Sequence, residues 1–243
     1  AVYMVNARTG AVVWWASASA SSSNGSAATA VADMKWAVPG NVTPVDIDAD
    51  GFVDHLYFAD LGGQVFRADI ENGETLNSLV TRVQKVASLG VAGSGTATNN
   101  RRFFNSPSVA LGKRNGSAMI QVVIGSGQRP KPLSENTQDR LFVLDDVGAL
   151  AAKSATYTAD YGSVYPIEAS DLLDVTDDLA PEESDFAGKY GWYIDLDQSV
   201  GEKVLSKAAV VQNEVLVTTF TNEAPPDRDR CNSVAGSARF YRV

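Results

Sequence analysis

The sequence is poor in the residues that several kinds of site and fold depend on. It has one cysteine, Cys231, so a disulfide within the chain is excluded. It has one histidine, His55, and any nucleophile or general base that depends on histidine would have to use it. Lysine and arginine together number 20 against 29 aspartates and glutamates, which gives a net charge of −9. This balance disfavours a nucleic-acid-binding protein, since phosphate contacts need clustered basic side chains.

Long hydrophobic runs are also missing. No stretch reaches the length of a membrane span, and no signal peptide is visible. The opening residues 2–5, Val-Tyr-Met-Val, are typical of a strand that has already begun. We therefore expect the chain to be a mature or excised fragment of a longer chain, whose export history this sequence does not contain. With 44% apolar and 20% charged residues over 243 positions, the chain has enough apolar side chains to form a sizeable core.

The most informative segment is 46–54, which reads Asp-Ile-Asp-Ala-Asp-Gly-Phe-Val-Asp. Four carboxylates crowded into nine residues repel one another unless a cation lies among them. Ca²⁺ takes about six to eight oxygen ligands, and a glycine at the sixth position lets the chain turn sharply around it. The loop therefore predicts a calcium site with these ligands: the side chains of Asp46, Asp48, Asp50 and Asp54 and the backbone carbonyl of Phe52. A solvated turn is the alternative, because Asp and Gly are also common turn residues.

This loop differs from an EF-hand, which continues to a bidentate glutamate at its twelfth position and then enters a helix. Here the twelfth position is Tyr57, in the aromatic and apolar run 55–59 that suits a strand. We therefore expect Asp54 to close the loop and a β-hairpin spanning 56–70 to follow it.

The rest of the chain consists largely of short apolar runs separated by Gly, Asn and Asp. Three of these runs, 2–6, 56–60 and 141–145, share a pattern that ends in Asn or Asp, which favours the inner strands of successive propeller blades over a sandwich. The predicted fold is all-β and propeller-like, with about three to four blades. Residues 1–243 would form a single propeller domain or a fragment of a larger propeller.

The sequence also predicts the structure of three segments between the strands. The Ala- and Ser-rich stretch 17–32 is expected to be a flexible loop or to contain a short helix over about 27–34. Residues 112–116 are expected to form a turn. Residues 150–188 are expected to form an irregular acidic insertion, whose acidic part 171–185 is either a solvated loop or a second cation site.

The remaining candidate groups do not indicate catalysis. His55 is expected to face solvent, and it would be an unusual ligand in a hard oxygen site. Asp145 and Asp146 are adjacent on a predicted strand, so their carboxylates would point to opposite faces and make a poor acid–base pair. Residues 125–131 lack the Gly-Lys-Ser/Thr ending of a phosphate-binding loop. The four tryptophans are expected in the core and at its rim rather than on a carbohydrate-stacking face. We therefore expect a protein that is not an enzyme.

Several segments, taken in order, resemble a known family: the C-terminal propeller domain of the PilC/PilY proteins associated with the tips of type IV pili. The segments are 45–57, 60–69, 125–127 with 138–145, 191–196 with 201–205, and 218–221 with Cys231. The calcium loop alone is shared with integrin-like propeller repeats, so it is the ordered set that carries the resemblance. Together the segments cover the chain from about residue 1 to 243.

The resemblance implies a calcium-dependent, surface-exposed module that supports pilus assembly, opposes retraction and acts in adhesion. Its implied partners are pilins or minor pilins and a receptor on a host or abiotic surface, and its implied location is extracellular, at the pilus tip or the outer membrane. The ligands carried across by position are the five residues named above. Whether Cys231 is a free thiol or pairs with a cysteine outside this sequence stays open. The alternative function is a secreted carbohydrate-binding or glycoside-processing protein on an integrin-like calcium-binding propeller.

Overall fold

The computed structural model describes residues 1–22, 26–91, 96–114, 116–178, 180–222 and 236–243. Cys231 lies outside these residues, so its pairing stays an open question. The regular structure of the described residues is almost entirely β-strand, with one helix, α1 (Tyr157–Tyr161), and short 3-10 turns. Within the described residues no helix has both the length and the apolar character needed to cross a membrane. The prediction of an all-β fold is confirmed.

The strands follow one another along the whole chain. Their bounds are β1 (Val2–Val5), β2 (Val12–Ser17), β3 (Ala27–Ala30), β4 (Thr43–Val45), β5 (His55–Ala59), β6 (Gln64–Ile70), β7 (Val80–Ser88), β8 (Ser108–Arg114), β9 (Ser117–Gly125), β10 (Arg140–Asp146), β11 (Ile167–Glu168), β12 (Leu173–Asp174), β13 (Gly191–Asp195), β14 (Lys203–Val204), β15 (Ala209–Val211), β16 (Glu214–Thr221) and β17 (Ser237–Arg242).

These strands form four separate sheets, as expected for a propeller-like arrangement rather than a closed barrel. Sheet 1 has the order β1-β2-β3, and sheet 2 has the order β11-β7-β6-β5-β4. Sheet 3 has the order β12-β13-β10-β9-β8. In sheet 4, β16 pairs with β14, β15 and β17. Most neighbours within a sheet are consecutive and antiparallel, which is how meandering blades are built.

Three apolar clusters join the sheets in a row, because each cluster draws side chains from two successive sheets. The first cluster lies between sheets 1 and 2, the second between sheets 2 and 3, and the third between sheets 3 and 4. Representative members are Trp14, Phe58 and Phe66 in the first, Tyr57, Val86, Phe103 and Phe142 in the second, and Val143, Val204 and Val217 in the third. Packing between neighbouring blades therefore provides the core.

The predicted hairpin over 56–70 is present, as β5 and β6 with a tight turn between them. Asp60 shapes this turn, because its buried carboxylate accepts hydrogen bonds from the backbone N–H groups of Gly62 at 2.9 Å and Gln64 at 3.0 Å. Gly63 has a φ of 75°, and a Cβ there would come within 2.5 Å of Gly90. Both the left-handed conformation and the close approach of the backbone require glycine.

Two local predictions were wrong. Residues 27–30 form a strand parallel to β2 instead of a helix or a flexible loop, with Ala27 opposite Trp14. The indole Nε1 of Trp14 donates to Thr29 Oγ1 at 3.0 Å. Contacts with the neighbouring strand β2 therefore override the helix preference of alanine. The predicted turn at 112–116 is shorter, because β8 continues to Arg114 and β9 begins at Ser117. Gly112 belongs to β8, where the side chain of Gln121 covers it.

The segment 150–188 has little regular structure, but it is tied into the two central sheets. Its strand β11 pairs in parallel with β7 of sheet 2, and its strand β12 pairs in parallel with β13 of sheet 3. Several of its apolar residues are buried, among them Tyr157, Ile167, Leu172 and Val175. The segment therefore bridges sheets 2 and 3 instead of projecting from them.

Candidate metal site

The loop 46–54 connects β4 to β5, which are adjacent antiparallel strands of sheet 2. The last strand pair before the loop is Val45 opposite His55, and the N–H of Asp54 donates to the carbonyl of Val45 at 2.8 Å. The N–H of Ile70 donates to the carbonyl of Asp54, also at 2.8 Å, which joins the end of the loop to β6. The loop is therefore anchored at its base by two strands of a five-stranded sheet.

The side chains of Asp46, Asp48 and Asp50 converge at the tip of the loop. Each has a carboxylate oxygen within 4.8 Å of the others, and all three residues are exposed. Three unpaired anions at this distance repel one another, and hard carboxylate oxygens are the donors that calcium prefers. The donor set therefore fits a calcium ion, and a spacing of two residues between aspartates is what brings these side chains together.

Backbone hydrogen bonds wrap the loop around Asp46. Its carboxylate accepts the N–H of Ala49 at 2.7 Å and the N–H of Gly51 at 2.9 Å. Ala49 and Gly51 both have positive φ angles, of 60° and 91°. Asp50 accepts the N–H of Phe52 at 2.8 Å, and the Phe52 side chain is exposed. Ligation by the carbonyl of Phe52 stays a prediction.

Asp54 lies apart from the three converging carboxylates. It is buried, and its Oδ2 accepts the N–H of Ile47 at 2.8 Å. Its Oδ1 lies 3.4 Å from the Nζ of Lys153. The structure therefore brings together three of the four predicted carboxylates, and the role of Asp54 as a ligand stays a prediction.

A small cavity of about 160 Å³ lies between the loop and the 3-10 turn Ala149–Ala151 that follows β10 of sheet 3. Asp48 and Asp54 line it from the loop, and Lys153 lines it from the other side. Its remaining lining residues are Ile47, His55, Ala149, Leu150 and Ala152. Its volume exceeds the roughly 30 Å³ that one water occupies in the liquid, so more than one water has room beside the loop.

The expectation that His55 faces solvent was wrong, because its side chain is buried. The ring Nε2 lies 3.1 Å from the carbonyl oxygen of Ala149, and Nδ1 lies 3.0 Å from Asp69 Oδ1. Asp69 is the residue opposite His55 in β6, so the strand register sets this pair. His55 therefore connects the base of the loop to the 3-10 turn that follows β10 of sheet 3.

A buried polar network continues inward from His55 and Asp69, and sequence reasoning missed it. The guanidinium of Arg67 donates to Asp69 at 2.6 Å, to Asp146 of β10 at 2.5 Å and to the Tyr157 hydroxyl at 2.8 Å. Asp146 also accepts hydrogen bonds from Tyr57 at 2.8 Å and from Tyr165. The network therefore connects sheet 2, sheet 3 and the segment 150–188.

The contacts of Asp145 and Asp146 confirm that the two carboxylates point to opposite faces of β10. Asp145 accepts hydrogen bonds from Arg114 and, at 3.0 Å, from Gln121, whereas Asp146 faces the Arg67 network. Both residues are buried. Each is held by its own cation on its own side of the strand, so they do not act as a pair.

Neighbouring charges shift the pKa values of Arg67, Asp69 and Lys153 in the direction that favours the ionised form of each. Burial alone would lower the pKa of Arg67, but the carboxylates of Asp146 and Asp69 hold that pKa well above its ordinary value. Burial would raise the pKa of Asp69, but His55 and Arg67 lower it below its ordinary value. Slight burial would lower the pKa of Lys153, and the nearby Glu71 and Asp54 raise it. These groups therefore stay charged at neutral pH.

No family model and no curated protein match this chain. A solved structure does: the Pseudomonas aeruginosa PilY1 C-terminal domain aligns with a TM-score of 0.50 and 14% sequence identity. The alignment covers 74% of this chain. The chain shares the fold of that domain.

The similarity confirms, at the level of the fold, the resemblance to the PilC/PilY C-terminal propeller. The alignment spans 44% of the length of the PilY1 chain, so that chain is more than twice as long as the part that matches. At this identity the likeness concerns architecture, and activity and partners need their own arguments.

Proposed function

We propose that this chain is a calcium-binding, non-enzymatic module of a type IV pilus-associated protein, located at the cell surface or the pilus tip. The observation that carries the proposal is the convergence of Asp46, Asp48 and Asp50 at the entrance to β5, in a fold similar to the PilY1 C-terminal domain. Its proposed partners are pilins or minor pilins, with a host or abiotic surface receptor.

The loop's own residues indicate what an ion would change. Calcium, when bound, would supply the positive charge that three converging carboxylates lack. Neutralised carboxylates no longer repel, so the loop tip would hold one conformation above its anchored base. That base leads directly into β5 through Asp54 and His55. An ordered loop would therefore also restrain the hairpin of sheet 2 and, through His55, the 3-10 turn that follows β10 of sheet 3.

Calcium should bind the wild-type chain and stabilise it. At a free concentration of 100 times the dissociation constant, binding raises the unfolding free energy by about 2.7 kcal/mol. For a chain of this size, that corresponds to a rise of about 5–10 °C in melting temperature. Isothermal titration measures the binding, and a thermal melt with calcium or with chelator measures the stabilisation.

The matched variants are Asp50→Asn, which removes one converging charge, and Asp197→Asn, which removes an exposed charge just after β13. We expect Asp50→Asn to lose most of the binding heat and of the thermal shift, and Asp197→Asn to keep both. No binding heat in the wild type, with identical melts in calcium and in chelator, would refute calcium binding.

The proposed partnership predicts calcium-dependent retention of minor pilins. Purified chain immobilised on beads should retain minor pilins in calcium and release most of them in chelator, because the ordered loop and hairpin would form part of the contact. Asp50→Asn should behave in calcium as the wild type does in chelator. Equal retention under all three conditions would show that pilin binding does not depend on calcium. No retention under any of them would show that minor pilins are not partners of this chain.

A further inference from the structure

Lys153 is the one cationic side chain that lines the cavity beside the loop in the described part of the chain. It lies just after the 3-10 turn Ala149–Ala151, and its side chain is about half exposed. Its Nζ is 3.4 Å from Asp54 Oδ1 and 3.7 Å from Glu71 Oε1. The ammonium group therefore stands between two carboxylates, one of which is a predicted metal ligand.

Asp54 has two carboxylate oxygens, and both are engaged. Oδ2 accepts the N–H of Ile47, which belongs to the fixed geometry of the loop. Oδ1 faces Lys153. A metal that used Asp54 together with Asp48 on the loop side of the cavity would need this second oxygen, and it would meet the ammonium group there.

A divalent cation and an ammonium group cannot share this cavity without cost, because like charges a few ångströms apart repel. Lys153 has an alternative partner in Glu71, and its flexible stem and partial exposure allow the ammonium group to withdraw from Asp54. Lys153 can therefore occupy the place of the ion, and it can also leave it.

We propose that Lys153 is a tethered cation that competes with calcium for Asp54 and so sets the affinity of the loop for the ion. This inference rests on the proposed calcium site. Lys153 follows β10 of sheet 3, whereas the loop belongs to sheet 2, so displacement of Lys153 also links the ion to contacts between the two sheets.

Calcium titration of Lys153→Met tests the competition directly. Methionine keeps the length of the stem and removes the charge, so the dissociation constant should fall by about two- to fivefold, the range expected for an exposed ion pair. The control is Lys207→Met, which makes the same change in net charge at an exposed position between β14 and β15. It should bind calcium as the wild type does.

The possible results separate the two proposals. Tighter binding by Lys153→Met than by Lys207→Met and the wild type supports the competition. Equal dissociation constants for Lys153→Met, Lys207→Met and the wild type overturn the competition and leave the calcium site in place. No binding by any of the three overturns both the site and the competition.

A second measurement follows the ammonium group itself. Acetylation by an activated ester, quantified by mass spectrometry, should modify Lys153 faster in saturating calcium than in chelator, because the displaced amine no longer contacts Asp54. Lys207 should react equally in both. Unchanged labelling of Lys153 in a sample that binds calcium by titration would overturn the inference, whatever the affinity of the variant.

Discussion

Replacing Arg67 by methionine should lower the free energy of unfolding by about 3–5 kcal/mol, because it would leave buried carboxylates without their cation. The guanidinium is fully buried and donates to Asp69, Asp146 and the hydroxyl of Tyr157. Asp69 keeps Arg82 at 3.2 Å after the substitution, whereas Asp146 keeps only hydroxyl donors among the contacts described above. Most of the loss should therefore come from Asp146.

Urea denaturation of the purified variant measures this loss. Arg242→Met is the control, because Arg242 pairs with Glu214 on an exposed surface and its loss should leave the midpoint nearly unchanged. Adding Asp146→Asn to Arg67→Met should restore part of the stability, since the uncompensated charge is then gone. A loss below about 1 kcal/mol for Arg67→Met would mean that water or neighbouring groups already screen the network.

Arg67 also bears on the loop, although it does not contact the converging carboxylates. It holds Asp69, and Asp69 lies beside His55 at the first position after the loop. Calcium should still bind Arg67→Met under conditions where the variant is folded, because the three carboxylates are held by backbone N–H groups of the loop itself. The network therefore supports the scaffold, while the loop carries the binding chemistry.

The loop and its hairpin could be predicted from the sequence because their geometry is local. Alternating aspartates bring Asp46, Asp48 and Asp50 together within a few residues, and Gly51 and Gly63 permit the turns. Neither feature depends on a distant part of the chain. The all-β fold could be predicted for the same reason, since the alternation of short apolar runs and turn residues extends over the whole sequence.

The features that could not be predicted depend on contacts far apart in the chain. His55 is buried because Asp69 and the carbonyl of Ala149 face it, and Ala149 is 94 residues away. Residues 27–30 are a strand because β2 offers an edge that they can pair with. The orientation of Asp54 toward Lys153 joins residues 99 apart. In each case an isolated segment contains only half of the interaction.

The burial of Arg67 is another feature that could not be predicted from the sequence. An arginine between two aspartates on a hairpin resembles an exposed ion pair, and periodicity alone does not separate the two cases. Residues 66–70 alternate apolar and polar side chains, which is typical of a strand with one face in water, so the sequence gives no signal that Arg67 is buried. In the structure β6 is buried along its whole length, so its charged residues need buried partners, and Asp146 supplies one from sheet 3.

Replacing Phe142 by alanine should lower the free energy of unfolding by about 3–5 kcal/mol, the usual cost of emptying a buried aromatic site. Phe142 is fully buried in β10. Its ring meets Phe103 edge-on, with centroids 6.1 Å apart, and Tyr193 at 6.3 Å. It belongs to the cluster between sheets 2 and 3, so the cavity would weaken the contact that joins the two central sheets.

This variant also tests whether the four sheets unfold as one domain. If they do, far-ultraviolet circular dichroism and tryptophan fluorescence should shift to the same lower midpoint, by about 6–20 °C in a thermal melt. Trp14 and Trp15 in sheet 1 report from a site two sheets away from β13, which carries Trp192. Phe240→Ala, at an exposed position in β17, should change neither signal. Separate midpoints for the two probes in Phe142→Ala would show instead that sheets 1 and 2 can stay folded without sheets 3 and 4, because the cluster around Phe142 is where the two halves meet.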